Sequence, residues 1–133
     1  MPIMKRVTGI GGLFFKCKDP EKTKQWYKER LGLPVDDWGA SFVWRDKDEP
    51  EQICYTAWSP FPADTGYFGP SKKDFIFNYR VENLEDLLKV LAKEGVEIVG
   101  EIESYEYGKF GWIMDPEGNK IELWEPVDDK LQP

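Results

Sequence analysis

The sequence contains no histidine, and only two of its 133 residues, Cys17 and Cys54, are cysteines. Without histidine the chain lacks the side chain that most often serves as a general base near neutral pH and as a transition-metal ligand. The usual cysteine–histidine pair of a cysteine nucleophile is excluded for the same reason. The two cysteines have no CxxC spacing, so we expect both to be buried, reduced thiols.

Long apolar runs and an excess of basic residues are also missing. No run approaches the roughly 18 apolar residues that a membrane-spanning helix needs, and the first residues, MPIMKRVTGIGG, are too short and polar for a signal peptide. The chain has 18 Lys and Arg against 25 Asp and Glu, a net charge of −7, which argues against nucleic acid and anionic membranes as partners. We therefore expect a cytoplasmic protein whose partner is a small molecule.

Aromatic residues, in contrast, are abundant: six Trp, six Tyr and eight Phe. So much planar surface must be buried, either in the core or around a cavity. The length is that of one domain, which we assign to residues 1–133.

One pattern of strands and helix caps occurs twice along the chain. Residues Phe15-Lys-Cys-Lys-Asp19 correspond to Tyr79-Arg-Val-Glu-Asn83 at a shift of 64, and Asp19 and Asn83 are good helix N-caps. Each half ends in Trp-x-Pro, at Trp58 and at Trp124. We predict module one over about 8–60, a Pro- and Gly-rich linker over about 60–73, module two over about 74–126, and a polar tail over 127–133. Each module is predicted to fold as strand, helix and three strands.

Two stretches resemble the vicinal oxygen chelate superfamily, which includes glyoxalase I, extradiol dioxygenases and bleomycin-resistance proteins. They are Phe15-Lys-Cys-Lys-Asp-Pro, followed by Trp26-Tyr27 and Leu31-Gly32-Leu33, and Asp115-Pro-Glu-Gly-Asn-Lys-Ile-Glu-Leu123. The resemblance covers nearly the whole chain. It implies an α+β fold of two βαβββ modules that form an eight-stranded open cup with the helices outside. It also implies a homodimer, because members of the family often pair two-fold.

The metal-dependent members bind their ion through four His or Glu side chains on the first and last strands of each module. The positions that correspond here are Gly12, Thr56, Ile76 and Glu122. Only Glu122 has ligand chemistry, whereas a divalent transition ion needs at least three such ligands. The sequence therefore predicts a member of the superfamily without its metal site, and we expect no cofactor.

The same four positions predict which side chains face the cup, because side chains alternate along a strand. The predicted ligand-binding residues are Phe14, Lys16, Thr56, Trp58, Asn78, Arg80 and Trp124. Lys16 and Arg80 are candidates to hold an anionic ligand; alternatively, either one neutralises Glu122 or extends to the rim of the cup. Glu122 is the candidate catalytic residue, a general acid or base, or else a remnant of the ligand set. For four further aromatic residues the sequence leaves cavity and packing roles open, namely Trp44, Trp112, Tyr105 and Tyr107.

Three functions fit these observations. The first is a protein that binds a small organic molecule in an aromatic-lined cup without metal. The second is a metal-free lyase or isomerase that acts on a small carbonyl or carboxylate compound, with Glu122 as general base. The third is a conventional divalent-metal lyase or dioxygenase. Fold alone does not decide among them.

Overall fold

The computed structural model describes residues 5–127 and contains the two βαβββ modules that the repeat predicts. Module one consists of β1 (Val7–Cys17), α1 (Pro20–Leu31), β2 (Val35–Asp36), β3 (Gly39–Arg45) and β4 (Ile53–Pro62). Module two consists of β5 (Phe75–Val81), α2 (Leu84–Lys93), β6 (Ile98–Tyr105), β7 (Gly108–Met114) and β8 (Lys120–Pro126). Most of the predicted polar tail lies outside the described residues. No helix among the described residues is long and apolar enough to cross a bilayer.

Both helices begin where the sequence predicts. The side chain of Asp19 accepts a hydrogen bond from the Lys22 amide at 3.1 Å, and α1 ends at Gly32, whose φ of 70° is left-handed. Asn83 caps α2 in the same way, through the amide of Asp86 at 3.3 Å. These caps satisfy amide groups that have no partner inside a helix, which is why short polar residues at these positions were informative.

The eight strands form one open mixed sheet in the order β2-β3-β4-β1-β5-β8-β7-β6. The first strands of the modules, β1 and β5, lie antiparallel at its centre. Each pairs on its other side with the last strand of its own module, in parallel. The predicted α+β fold and open eight-stranded cup are therefore confirmed.

The two faces of the sheet have different partners. On the helix side, α2 covers a core of Val81, Leu84, Leu87 and Leu123. Also on that side, Trp58 of β4 packs against Tyr27 of α1, with ring centroids 4.8 Å apart. On the opposite side, the cup side, one row of paired residues crosses the centre of the sheet and consists of Ala57, Gly12, Asn78 and Glu122.

The predicted orientation of β4 was wrong by one residue. We expected Thr56 and Trp58 on the cup side, but the parallel pairing of Gly12 with Ala57 puts Ala57 there instead. Since paired residues point to the same face, Thr56 and Trp58 face away from the cup. The hydroxyl of Thr56 bonds instead to the carbonyl of Ile10 at 2.5 Å and accepts the Trp44 indole N–H at 2.7 Å. Both cysteines were expected to be buried; Cys54 is buried, whereas Cys17 is only partly so.

Candidate functional site

A cavity of about 480 Å³ opens on the cup side, a volume suited to a small organic molecule. Its walls are mainly aromatic, formed by Phe14, Tyr55, Tyr107, Phe110 and Trp124. The smaller side chains that line it are Val43 and Ala57, beside the bare backbone of Gly11. Its polar lining consists of Asp36, Ser41 and Asn78. Its described lining residues include neither Lys nor Arg.

A continuous stack forms one wall. Phe110 lies parallel to Trp124, with ring centroids 5.8 Å apart, and Tyr107 meets Phe110 edge-on at 5.7 Å. Tyr105 stacks on Tyr107 from outside at 5.4 Å and does not line the cavity. The indole N–H of Trp124 donates to the carbonyl of Tyr107 at 3.1 Å. This bond fixes the ring plane of Trp124 at the cavity surface.

Arg80 continues the stack behind Trp124. Its guanidinium carbon is 5.3 Å from the centroid of Trp124 and 5.4 Å from that of Trp44, and Nη1 donates to the carbonyl of Tyr55 at 3.1 Å. Lys16 holds its ammonium 5.5 Å from the ring centroid of Phe68. The structure thus brings neither predicted anion-binding residue into the cavity lining, because both cations are directed onto aromatic faces.

Glu122 is buried beside the cavity rather than in its wall. One carboxylate oxygen accepts the amide N–H of Asn78 at 2.5 Å. The other accepts the indole N–H of Trp112 at 2.9 Å and the hydroxyl of Tyr67. Both oxygens of the predicted catalytic carboxylate are therefore occupied by protein donors.

Tyr67 comes from the segment that we predicted to be a linker. Residues 61–68, which we name the plug, turn back into the cup, and Phe68 is fully buried against Ile76 and Trp112. Lys120 holds the plug in place. Its ammonium donates to the carbonyl of Tyr67 at 2.7 Å and lies 5.1 Å from the centroid of the Tyr67 ring. The plug fills the part of the cup nearest to Glu122.

Burial governs the ionisation of this cluster. Desolvation raises the pKa of Glu122, and the hydrogen bonds from Tyr67, Trp112 and Asn78 together with the charge of Lys120 oppose that rise. Desolvation, with the neighbouring Glu122 charge, also raises the pKa of Tyr67 far above its ordinary value. The hydroxyl of Tyr67 therefore stays protonated and available as a donor. The pKa of Lys120 is lowered, again by burial.

The raised pKa predicts how stability depends on pH. A carboxyl whose folded-state pKa exceeds its unfolded value stabilises most below that unfolded value, about 4.5 here, and loses this contribution as the pH rises through the folded-state pKa. We expect the stability advantage of the wild type over Glu122→Gln to shrink as the pH rises above about 4.5. Urea unfolding at several pH values measures it, with exposed Glu117→Gln as the control. An advantage that grows with pH would contradict the raised pKa.

The four positions that correspond to the family's ligands do not fit a divalent transition ion, because Gly12 has no side chain, the aliphatic Ile76 is buried against Phe68 of the plug, and Thr56 lies outside the cavity lining. The row beside Glu122 offers an amide at Asn78, no side chain at Gly12 and a methyl at Ala57. Both oxygens of Glu122 are already bonded. Within residues 5–127 there is no group of three His, Cys, Asp or Glu that could hold an ion.

Of the sequence-predicted site residues, Phe14, Asn78 and Trp124 line the cavity. Glu122, Arg80 and Lys16 lie outside its lining, and Thr56 and Trp58 are on the other face. Among the four aromatics left open, Tyr107 lines it, whereas Trp112 packs with the plug. Two of the lining residues that the sequence did not single out lie on β4, where the predicted alternation was one residue out, and two on β3, for which no orientation was predicted. The full set is Gly11, Asp36, Ser41, Val43, Tyr55, Ala57 and Phe110.

Comparison with known proteins gives the following relationships. The family model described as Glyoxalase/Bleomycin resistance protein/Dioxygenase superfamily matches residues 9–123. Methylmalonyl-CoA epimerase from Mycobacterium tuberculosis superposes with a TM-score of 0.63 at 19% identity, over 98% of this chain and 96% of that one. Streptomyces coelicolor methylmalonyl-CoA epimerase in complex with 2-nitronate-propionyl-CoA superposes with a TM-score of 0.68 at 13% identity, over 91% of this chain and 99% of that one.

A third solved structure, the 2,3-dioxygenase LapB from Pseudomonas sp. KL28, gives a TM-score of 0.62 at 24% identity, over 93% of this chain and 42% of that one. At these identities the likeness establishes the fold alone. No curated protein sequence matches the chain.

Proposed function

Because this chain belongs to the glyoxalase/bleomycin resistance protein/dioxygenase superfamily, we propose that it binds a small organic molecule in its aromatic-lined cavity without a metal ion. The observation that carries the proposal is the separation of Glu122 from that cavity. Glu122 is the one carboxylate among the four positions of the family's ligands, and it is bonded to Asn78, Trp112 and Tyr67. The neighbouring cavity remains open and is lined mainly by aromatic side chains.

The same separation argues against the lyase or isomerase in which Glu122 is the general base. A general base must come within hydrogen-bond reach of the substrate proton that it removes. Glu122 is almost completely buried and would reach a ligand only if the plug left the cup. Binding needs no such movement, since aromatic walls and a few fixed polar groups are the usual features of a small-molecule site.

Filling the cavity tests this function. We expect Ala57→Trp to abolish binding of small aromatic probes, here indole and 2-naphthol, because the added ring would occupy the space between the walls. A ligand at one hundred times its Kd stabilises a protein by about 2.7 kcal/mol, which a thermal-shift measurement detects readily. Ala63→Trp, which adds the same ring at an exposed position outside the cavity lining, is the matched control. Binding that survives Ala57→Trp, or no binding to the wild type, would contradict the proposal.

We further propose that two chains pair through the helix side of the central strands. Leu13 and Phe77 are paired neighbours there and remain 41% and 39% exposed, and Phe75 stacks beside Phe77 with ring centroids 5.0 Å apart. An apolar patch of this kind on a sheet is typical of an interface. It lies where β1 and β5 meet, so a second copy can present the same residues about a two-fold axis.

A charge in this patch is expected to prevent pairing. Phe77→Glu would place a carboxylate in a desolvated contact, so we expect a monomer at protein concentrations where the wild type is a dimer. Sedimentation velocity measures the difference. Leu31→Glu, at the exposed end of α1, is the control and should pair as the wild type does. A wild type that is monomeric at high concentration, or a Phe77→Glu variant that still dimerises, would refute this interface.

A further inference from the structure

We propose that the ligand carries an N–H or O–H donor on its buried end, and that the side-chain oxygen of Asn78 accepts it. This inference rests on the proposed function, since it concerns the same cavity. Asn78 is 1% exposed and lines the cavity, yet its Oδ1 has no hydrogen-bond partner within the described part of the chain. A buried carbonyl oxygen without a partner is rare in folded proteins and is energetically unfavourable.

The backbone of β1 leaves room for this oxygen, which is buried beside the cavity lining. A Cβ added at Gly11 would collide with Asn78 Oδ1 and would also crowd Arg80 and Trp124. Gly11 itself lines the cavity. The glycine therefore makes the space in which the amide oxygen lies, next to the volume that a ligand would fill.

Glu122 determines which end of the amide faces the cavity. The amide nitrogen of Asn78 donates to Glu122 Oε1 at 2.5 Å, and the reversed amide would bring its oxygen against that same oxygen. When Glu122 is ionised its carboxylate carries no hydrogen for a reversed amide to accept, and both oxygens act only as acceptors, Oε2 from Trp112 and Tyr67. Asn78 thus acts as a fixed acceptor, and Glu122 is its positioning residue.

The rest of the lining agrees with this polarity. The described lining residues include no Lys or Arg, and Asp36 adds a carboxylate. A ligand carboxylate would meet acceptors without a compensating cation, so anionic ligands are disfavoured. The ligand class that fits is a flat apolar or aromatic molecule with an N–H or O–H group on its edge, such as an indole, a phenol or an aryl amine.

Two probes of equal shape test the acceptor. Indole and benzofuran differ in one ring atom, an N–H in indole and an oxygen in benzofuran. We expect the wild type to bind indole about tenfold more tightly by calorimetry, because only indole can donate to Asn78. Suppose that the wild type binds both probes with equal affinity and that the Ala57→Trp variant binds neither. This result would overturn the inference and leave the proposed function standing. Failure of both probes to bind the wild type would overturn the two together.

Glu122→Gln supplies a second and independent test. The oxygen of the new amide must stay where Trp112 donates, so its nitrogen faces Asn78, and Asn78 must turn its own oxygen toward it. The amide nitrogen of Asn78 then faces Gly11, and we expect the preference for indole to fall to about one or to reverse. Exposed Glu117→Gln should keep the wild-type ratio. An unchanged tenfold preference in folded Glu122→Gln would refute the positioning role.

The wild type alone offers a measurement that needs no ligand. In an amide NMR spectrum the side-chain NH₂ of Asn78 should lie downfield and exchange slowly, because its donor is bonded to a buried carboxylate. Asn119, whose amide nitrogen donates to Asp115 at 2.7 Å, serves as the internal reference. Asn78 signals at the positions of a freely exposed amide would contradict the orientation on which the inference depends.

Discussion

Replacing Glu122 by alanine is expected to lower the free energy of unfolding by about 3–5 kcal/mol. The change leaves the donors of Asn78, Trp112 and Tyr67 without their acceptor, and the first two of these residues are buried. Each unsatisfied buried donor costs about 1–3 kcal/mol, although the structure relaxes and the costs do not add fully. Lys120 also loses the opposite charge that favours its ammonium.

Urea unfolding at neutral pH measures this effect, with Glu117→Ala as the control. Glu117 is an exposed carboxylate in the turn before β8, and its removal should change stability by less than about 0.5 kcal/mol. A loss of less than about 1 kcal/mol for Glu122→Ala would mean that the carboxylate does not hold the three donors in place. In that case the position of Tyr67 would not depend on its hydrogen bond to Glu122.

Phe68→Ala is expected to destabilise the protein by a similar amount, about 3–5 kcal/mol. The side chain is fully buried within the plug, where its ring lies 5.2 Å from that of Phe61 and under the ammonium of Lys16. Ile76 and Trp112 complete the cluster. Truncation removes the apolar contacts of a whole ring and leaves a void that rigid neighbours cannot close.

A second aromatic residue serves as the control, because it shows whether the loss of stability comes from removing a buried ring or from removing any ring. Trp38 is 87% exposed in the turn before β3, so Trp38→Ala removes a larger ring with little change in buried area. We expect its cost to stay below about 1 kcal/mol in the same denaturation experiment. Similar small losses for Phe68→Ala and Trp38→Ala would show that the plug contributes little to the fold.

The fold was predictable because its signals are local. A cap at Asp19 or Asn83 is decided by three or four neighbouring residues, and the repeat places each cap directly after a first strand. The plug has no such signal. Its Pro and Gly content is typical of a linker, and the turns are present, as in the bond from the Gly69 amide to Gly66. The composition does not reveal that these turns direct Phe68 into the cup.

The site was predictable in part, for a related reason. Alternation along β1, β5 and β8 put Phe14, Asn78 and Trp124 on the cup side, where they line the cavity. In β4 the repeat aligned Trp58 with Trp124, yet the first packs beneath α1 and the second lines the cavity. A shift of one residue exchanges the two faces of a strand. The bond between Tyr67 and Glu122 joins residues 55 positions apart, which no local pattern encodes.

The position of Arg80 also bears on how the two modules depend on each other. This residue belongs to module two, but its guanidinium lies against Trp44 and bonds to the Tyr55 carbonyl, both in module one. Tyr67, in the segment that follows module one, similarly donates to Glu122 near the end of module two. Neither half retains its buried polar partners without the other. We therefore expect the duplicated halves to unfold cooperatively, as a single thermodynamic unit rather than as two.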